Sequence, residues 1–266
     1  MIQETKMKSP IDNSDFGLTA DDYSKFRAGF PDSLFKKLKA SNIGMGDQHI
    51  LDLGTGTGSL ARGFALNGNQ VSGIDPAKEM LIAAKQMDQA LKINIDYHVA
   101  PAEDTGLDSN QFDIISAGQC WHWFDSKKAA MEIKRLLKPQ GTFLAVYYDW
   151  LPLQGNVVRE TEKLIEQHNP KWKGGNQFGI HPTLFRDLAE NGFYSLESFT
   201  YDETAIYSHE GWRGRIRASA GVGASMNTEH INTFDSELAE LLTKNFPSEP
   251  LNVPHRIFVL MAKCSA

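Results

Sequence analysis

The chain has 266 residues, of which 41% are hydrophobic and 23% charged, with a formal net charge of −6. A chain of this size and balance buries one large core, and its acidity argues against nucleic acid as an obligatory partner, because neutralising phosphates requires a basic face. Cys120 and Cys264 supply neither a disulfide framework nor zinc-ligand spacing, and no apolar run approaches the ~18 residues of a membrane span. The expectation is a cytoplasmic protein with no bound metal and no membrane partner.

Residues 1–15 are polar and read as a flexible leader. After Pro31, Asp32 is placed to cap a helix from Ser33 to Ala40, with Leu34, Phe35 and Leu38 inward. Ile50, Leu51 and Leu53 read as a short buried strand. Asp52-Leu-Gly54-Thr-Gly56-Thr-Gly58 turns the chain into a helix from Ser59 to Asn67, with Leu60, Phe64 and Ala65 on one face. Gln70 to Ile74 is a second strand, ending in Asp75. Pro76 opens a helix to about Leu91 that turns Met80, Ala83, Ala84 and Met87 inward. A strand over Ile93 to Val99 leads to the polar turn Pro101-Ala-Glu-Asp-Thr-Gly-Leu107. Phe112 to Gly118 is apolar throughout, as in a strand covered on both faces. Gln119-Cys-Trp-His-Trp-Phe-Asp125 follows, with Cys120 a small buried hydrophobe. Asp125 or Ser126 caps a helix from Lys127 to Leu137, which Pro139 and Gly141 stop.

The fifth strand, Thr142 to Tyr148, runs on towards Pro152. Tyr147 and Asp149 point one way along it, Tyr148 and Trp150 the other. Residues 153–180 break the strand–helix rhythm with a helix from Val157 to His168 and a loop. A helix over Thr183 to Asn191 and a long strand over Phe193 to Tyr207 come next. Arg213 and Arg217 share a helix face at i and i+4 with no acid between them, which invites an anionic partner: a substrate carboxylate, an acidic side chain of the cap, or water. Phe234 to Asn245 is an amphipathic helix, and His255 to Lys263 a final strand.

The glycines allow positive φ and close approach of the backbone to a ligand, and the following helix offers free N–H groups. Ligands of open parallel sheets lie off the carboxyl ends of the strands, where an acid about 20 residues past the first glycine reaches ribose hydroxyls. Asp75 stands there. The spacing departs from the dinucleotide fingerprint, since Ser59 occupies the third glycine position counted from Gly54.

Asp52 to Gly58 resembles the first motif of class I S-adenosylmethionine-dependent methyltransferases. Tyr23-Ser-Lys-Phe-Arg27-Ala-Gly-Phe-Pro31 resembles the Tyr-x-x-x-Arg-x-x-Tyr-Pro lead-in of a small-molecule branch, with Phe30 where tyrosine is usual. Gln119 to Asp125 resembles the Gln-Ala-x-His-Trp-Phe-Asp segment of the trans-aconitate-methyltransferase-like branch, and Pro101 to Leu107 that family's adenine-reading turn, with Pro101 at the usual acid. The resemblance covers residues 16–150 well and 181–263 more loosely.

It implies an α/β, Rossmann-like sheet of seven mostly parallel strands in the order 3-2-1-4-5-7-6, the last strand antiparallel, with helices on both faces and a helical cap. The whole of 16–266 would be one domain, with 16–40 as a lid and about 150–180 plus 208–232 as the cap. S-adenosyl-L-methionine would be held by Tyr23, Arg27, Asp52, Gly54, Thr55, Gly56, Gly58, Asp75, Pro76, Met80, Ala102, Glu103, Gln119 and Trp121, leaving as S-adenosyl-L-homocysteine. Trp121 and Trp123 could shield the sulfonium. His122, Tyr147 and His255 are the candidate bases, and Trp123, Tyr148, Trp150, Arg213 and Arg217 the candidate contacts to a small-molecule acceptor, in a monomer or homodimer. An NAD-dependent oxidoreductase and a non-catalytic protein keeping the fold are the alternatives.

Overall fold

Short apolar runs separated by amphipathic helices require a sheet covered on both faces. In the computed structural model, which describes residues 29–264, seven such runs form one sheet. They are β1 (His49–Leu53), β2 (Gln70–Asp75), β3 (Asp96–Val99), β4 (Phe112–Gly118), β5 (Leu137–Trp150), β6 (Phe193–Tyr207) and β7 (Leu251–Cys264). Their order is β3-β2-β1-β4-β5-β7-β6, as expected. The first five are parallel, and β7 lies antiparallel between β5 and β6.

Eight helices accompany the sheet among the described residues: α1 (Asp32–Lys39), α2 (Ser59–Leu66), α3 (Lys78–Leu91), α4 (Ser126–Leu136), α5 (Val157–His168), α6 (Pro182–Glu190), α7 (His209–Arg217) and α8 (Thr228–Asn245). The two-residue period of the strands divides the core in two. Leu144, Val146, Tyr148, Ile257 and Val259 face one side, with Leu34, Leu60, Phe64, Trp212 and Phe234 from the helices. Phe143, Ala145, Tyr147, Phe258 and Leu260 face the other, with Ile133 of α4 and Leu184 and Leu188 of α6. No helix among the described residues is long and apolar enough to cross a membrane.

Several boundaries differ from the sequence reading. Asp32 lies inside α1, whose N-cap is Pro31. The helix expected from Pro76 starts at Lys78, because the Asp75 carboxylate accepts the Ala77 N–H at 2.9 Å and holds the chain extended for two more residues. β5 starts five residues early, at Leu137. The Pro139–Gly141 stop is absorbed as an irregularity in its pairing with β4, where Gln140 takes φ +68°. β7 starts at Leu251 because β6 pairs with it down to Tyr207. α8 starts at Thr228, capped by the Asn227 side chain.

The segments read as a cap supply α5 and α7, which both pack on α8 beyond the carboxyl end of β5. Trp212 of α7 is fully buried there. Its Nε1 donates to Thr161 Oγ1 at 3.0 Å, and its ring meets Trp150 edge-on at 5.6 Å. Residues 1–15 of the leader and 16–28 of the lid lie outside the described residues.

Candidate active site

The turn after β1 is built by three positive-φ glycines: Gly54 at +62°, Gly56 at +55° and Gly58 at +77°. Their surroundings assign them different duties. A Cβ on Gly54 would stand 2.9 Å from Cys120, and one on Gly58 would stand 2.3 Å from the Tyr97 hydroxyl, so both are demanded by packing. A Cβ on Gly56 would meet nothing within 4 Å, so its left-handed φ, not packing, calls for glycine there. Arg62 of α2 fastens the turn from behind. It donates to Asp88 at 2.8 Å and to the Thr57 carbonyl at 2.9 Å, all in buried surroundings.

A narrow cleft opens at the carboxyl ends of β1 and β4. Its walls include Phe30, Asp52, Thr55, Ser59, Gln119 and Tyr148. Asp52 is 1% exposed and accepts hydrogen bonds from Thr55 Oγ1 and Ser116 Oγ, each at 2.7 Å. Burial pushes its pKa up to about 6, against those bonds, and the nearby Asp75 charge adds to the rise. Asp75 ends β2 beside the turn. One of its oxygens accepts the Gly56 N–H at 2.9 Å and the other the Ala77 N–H, while burial raises its pKa. Each oxygen keeps a second lone pair for another donor. Gln119 is held at φ +57°, an uncommon conformation for a non-glycine residue. Its N–H donates to the Val146 carbonyl and its side-chain amide to the Tyr148 carbonyl, both at 2.8 Å. A buried carboxylate beneath the aromatic rings of Phe30 and Tyr148, 6.4 Å apart, suits a cationic ligand. These residues fit S-adenosylmethionine, whose sulfonium and ammonium groups are cations and whose ribose would meet Asp75.

Other expected residues are placed elsewhere. Trp121 is 4% exposed on the opposite face of the sheet, 5.2 Å from Phe143, with Nε1 donating to Asp187. It is a core anchor there, not a wall of the cleft. Tyr147 points to that same face, buried and stacked at 3.7 Å on His181. Burial raises its pKa far above neutrality, which removes it as a base at ordinary pH. His122 and Trp123 are exposed, their rings 4.7 Å apart, with Tyr147 6.4 Å from His122. Glu103 spends its carboxylate on the Asp125 N–H at 2.7 Å, at the start of α4. Ala102 and Met80 are buried and Pro76 is exposed. Tyr23 and Arg27 lie outside the described residues.

His255 is 2% exposed. Its Nδ1 donates to the Val253 carbonyl at 2.9 Å, which leaves Nε2 as an acceptor, and burial holds its pKa down to about 4. Its ring lies 4.6 Å from that of Tyr148. Arg213 and Arg217 do not supply the anion site expected of them, because both bind Asp235 and both pair with Glu210. The acids that neutralise them come from α8 and from the first turn of α7. The sequence reading passed over Arg215, between them, and His181, whose Nε2 meets Asp149 at 2.8 Å. Arg215 had a signal. Trp212 and Ile216 mark the inward face of α7, and a residue three past Trp212 shares it. His181 had none, since a loop histidine takes its neighbours from the tertiary fold.

Residues 51–145 match the family described as a methyltransferase domain. An uncharacterized methyltransferase of Mycobacterium tuberculosis H37Rv, Rv3342, is 31% identical over 203 residues, spanning 69% of this chain and 78% of the relative. An uncharacterized methyltransferase of Schizosaccharomyces pombe, C25B8.09, is 27% identical over 224 residues, spanning 83% and 84%. Among solved structures, a protein of Anaeromyxobacter dehalogenans provisionally named a type II methyltransferase superposes with a TM-score of 0.66 at 25% identity, covering 90% of this chain and 98% of that one. Phosphoethanolamine N-methyltransferase 2 of Haemonchus contortus, solved with S-adenosyl-L-methionine, shares the fold at a TM-score of 0.55 and 20% identity, covering 93% and 57%. With the sheet order, the glycine turn and these relatives in agreement, the chain belongs to the class I S-adenosylmethionine-dependent methyltransferases.

Proposed function

We propose that this chain transfers a methyl group from S-adenosylmethionine to a small-molecule acceptor by in-line displacement, acting as a monomer or homodimer in the cytoplasm. The observation that carries the reading is the buried Asp52 carboxylate, in a cleft walled by Gly54, Thr55 and Thr57 of the glycine turn and by the Phe30–Tyr148 pair. When bound, the cofactor supplies an electrophilic methyl group on a sulfonium that is already a good leaving group. The chain's part is therefore chiefly to bind, orient and exclude water. Asp52 balances the cationic methionine end, Gln119 orients it, and Asp75 takes the ribose hydroxyls. The backbone around Ala102 and Glu103 borders the adenine. An acceptor that must lose a proton finds a neutral imidazole in His255, with His122 as the solvent-side alternative.

The test is thermal unfolding with S-adenosylmethionine, S-adenosylhomocysteine and NAD, in wild type and Asp75→Ala. A ligand at 100 times its Kd adds about 2.7 kcal/mol to the folded state. The expected result is stabilisation by the first two ligands, lost in Asp75→Ala, and none by NAD. Stabilisation by NAD alone would overturn the reading.

A further inference from the structure

We propose that Arg215 holds a carboxylate of the methyl acceptor, beside Trp150, Tyr207 and His255 and next to the cofactor cleft at Tyr148. The proposal rests on the methyltransferase reading of that cleft and adds the chemical class of the acceptor.

Three arginines alternate along α7. Arg213 and Arg217 are neutralised by Asp235 and Glu210, whereas Arg215 forms no ion pair among the described residues. It lies on the inward face with Trp212, and its guanidinium stands 4.8 Å over the Trp150 ring. Burial is the largest influence on this guanidinium and lowers its pKa, with Tyr207 and Asp149 acting in the opposite sense. Even so, the residue keeps intermediate exposure. A ligand that comes in from solvent can therefore reach it. A guanidinium in such a place with no carboxylate opposite is costly to the fold, and most proteins pair it.

The groups around it are also incomplete. The Tyr207 hydroxyl is buried and, apart from its interaction with the Arg215 guanidinium, has no hydrogen-bond partner among the described residues. His255 presents Nε2 as an acceptor beside Tyr207, the two rings 6.3 Å apart. A carboxylate satisfies the first two groups together, one edge on the guanidinium fork and an oxygen on the tyrosine hydroxyl. The charge balance favours a carboxylate over a phosphate. Around Arg215 stand one cation and an imidazole that burial keeps neutral, with the Asp149 anion acting from the other face of the sheet, which suits a monoanion and repels a dianion. Tyr148 borders both spaces. It lines the cofactor cleft, and its ring lies 4.6 Å from that of His255, tilted by 38°. An acceptor anchored by its carboxylate at Arg215 would thus present the rest of its skeleton towards the cleft.

The experiment is calorimetric titration of the full chain, saturated with S-adenosylhomocysteine, using benzoate and hexanoate, their uncharged amides, and inorganic phosphate. Wild type is compared with Arg215→Gln, Arg215→Lys and Arg213→Gln. The expected result is carboxylate binding that weakens at least about tenfold in Arg215→Gln, is partly kept in Arg215→Lys and is unchanged in Arg213→Gln. The amides should bind at least about tenfold more weakly than the acids. Unaltered affinity of Arg215→Gln for S-adenosylhomocysteine shows that the variant is folded. Equal carboxylate binding in wild type and Arg215→Gln, no carboxylate binding at all, or a preference for phosphate would each overturn the proposal. Should S-adenosylhomocysteine fail to bind while Arg215 still discriminates acids from amides, the anion site stands and the cofactor reading falls.

Discussion

At the scale of single residues, two glycines of one turn are set apart by what lies opposite each Cα. Gly56 sits at φ +55° with open space where a Cβ would go, and Gly58 at φ +77° with the Tyr97 hydroxyl 2.3 Å from that point. Gly56→Ala should therefore cost only the left-handed backbone penalty of about 1–2 kcal/mol. It should leave a folded protein, and on the proposed reading of the turn as the cofactor's seat the added methyl group should weaken S-adenosylhomocysteine binding. Gly58→Ala adds a steric clash to the same penalty and should lose about 2–5 kcal/mol in all. Thermal unfolding paired with ligand titration separates the two, and equal stability losses would contradict the distinction. The sequence shows all three glycines and both acids, Asp52 and Asp75, because the turn and its strand ends are local features. It does not show that Gly54 answers to Cys120 or Gly58 to Tyr97, since those partners arrive from β4 and β3. The aromatic residues after β4 misled for the same reason. Alternation cannot say which of Trp121, Tyr147 and Tyr148 faces the cleft until the sheet's two faces are assigned.

Between elements, the turn is held by the Arg62–Asp88 pair, which joins α2 to α3. Both side chains are buried, and the other group beside Asp88, the Tyr97 hydroxyl, is uncharged, so Arg62 is the cation that neutralises Asp88 among the described residues. Arg62→Ala should lose about 3–5 kcal/mol, the cost of an uncompensated buried charge. The double variant Arg62→Met with Asp88→Leu should recover most of that loss. Urea unfolding of the single and double variants checks this, and a double variant no better than the single would refute the account. Arg62 also donates to the Thr57 carbonyl, so the single variant should weaken S-adenosylhomocysteine binding as well. The elements themselves were legible because hydrophobic period and cap residues are local signals. The sheet order was legible only through the family resemblance. The boundaries that moved, at Leu137, Thr228 and Leu251, are those where pairing or capping extended an element past its strongest apolar stretch. The ion pairs of Arg213 and Arg217 depend on α8 meeting α7, and no spacing along the chain records that contact.

Across the whole molecule, two buried groups give opposite slopes of stability against pH. Burial holds His255 down to about 4 and Arg215 adds to the fall, against the Val253 hydrogen bond and the Asp149 charge. The unfolded value is near 6.5, so its contribution is complete above pH 6.5 and lost as pH falls through about 4, roughly 3 kcal/mol at ~1.4 kcal/mol per pH unit. Burial holds Asp52 up at about 6, with Asp75 adding to the rise, against hydrogen bonds from Ser116, Thr55 and the Ala61 backbone. Its unfolded value is 3.8, so the sign reverses. Its contribution is complete below 3.8 and lost as pH rises through about 6, again roughly 3 kcal/mol. Between pH 6 and 4 the two slopes cancel. Asp52→Asn removes one of them. Relative to wild type, this variant should lose about 2–3 kcal/mol of stability between about pH 7 and pH 4, whatever its offset at neutrality. His255→Gln should shift relative to wild type by a similar amount in the opposite direction. Urea unfolding across this range reads both, and differences that stay constant with pH would show that neither group titrates as its surroundings demand. On the proposed function, cofactor binding ties this balance to activity. A cation beside Asp52 favours its ionised form, so affinity for S-adenosylmethionine should weaken as pH falls below about 6 in wild type and lose that dependence in Asp52→Asn.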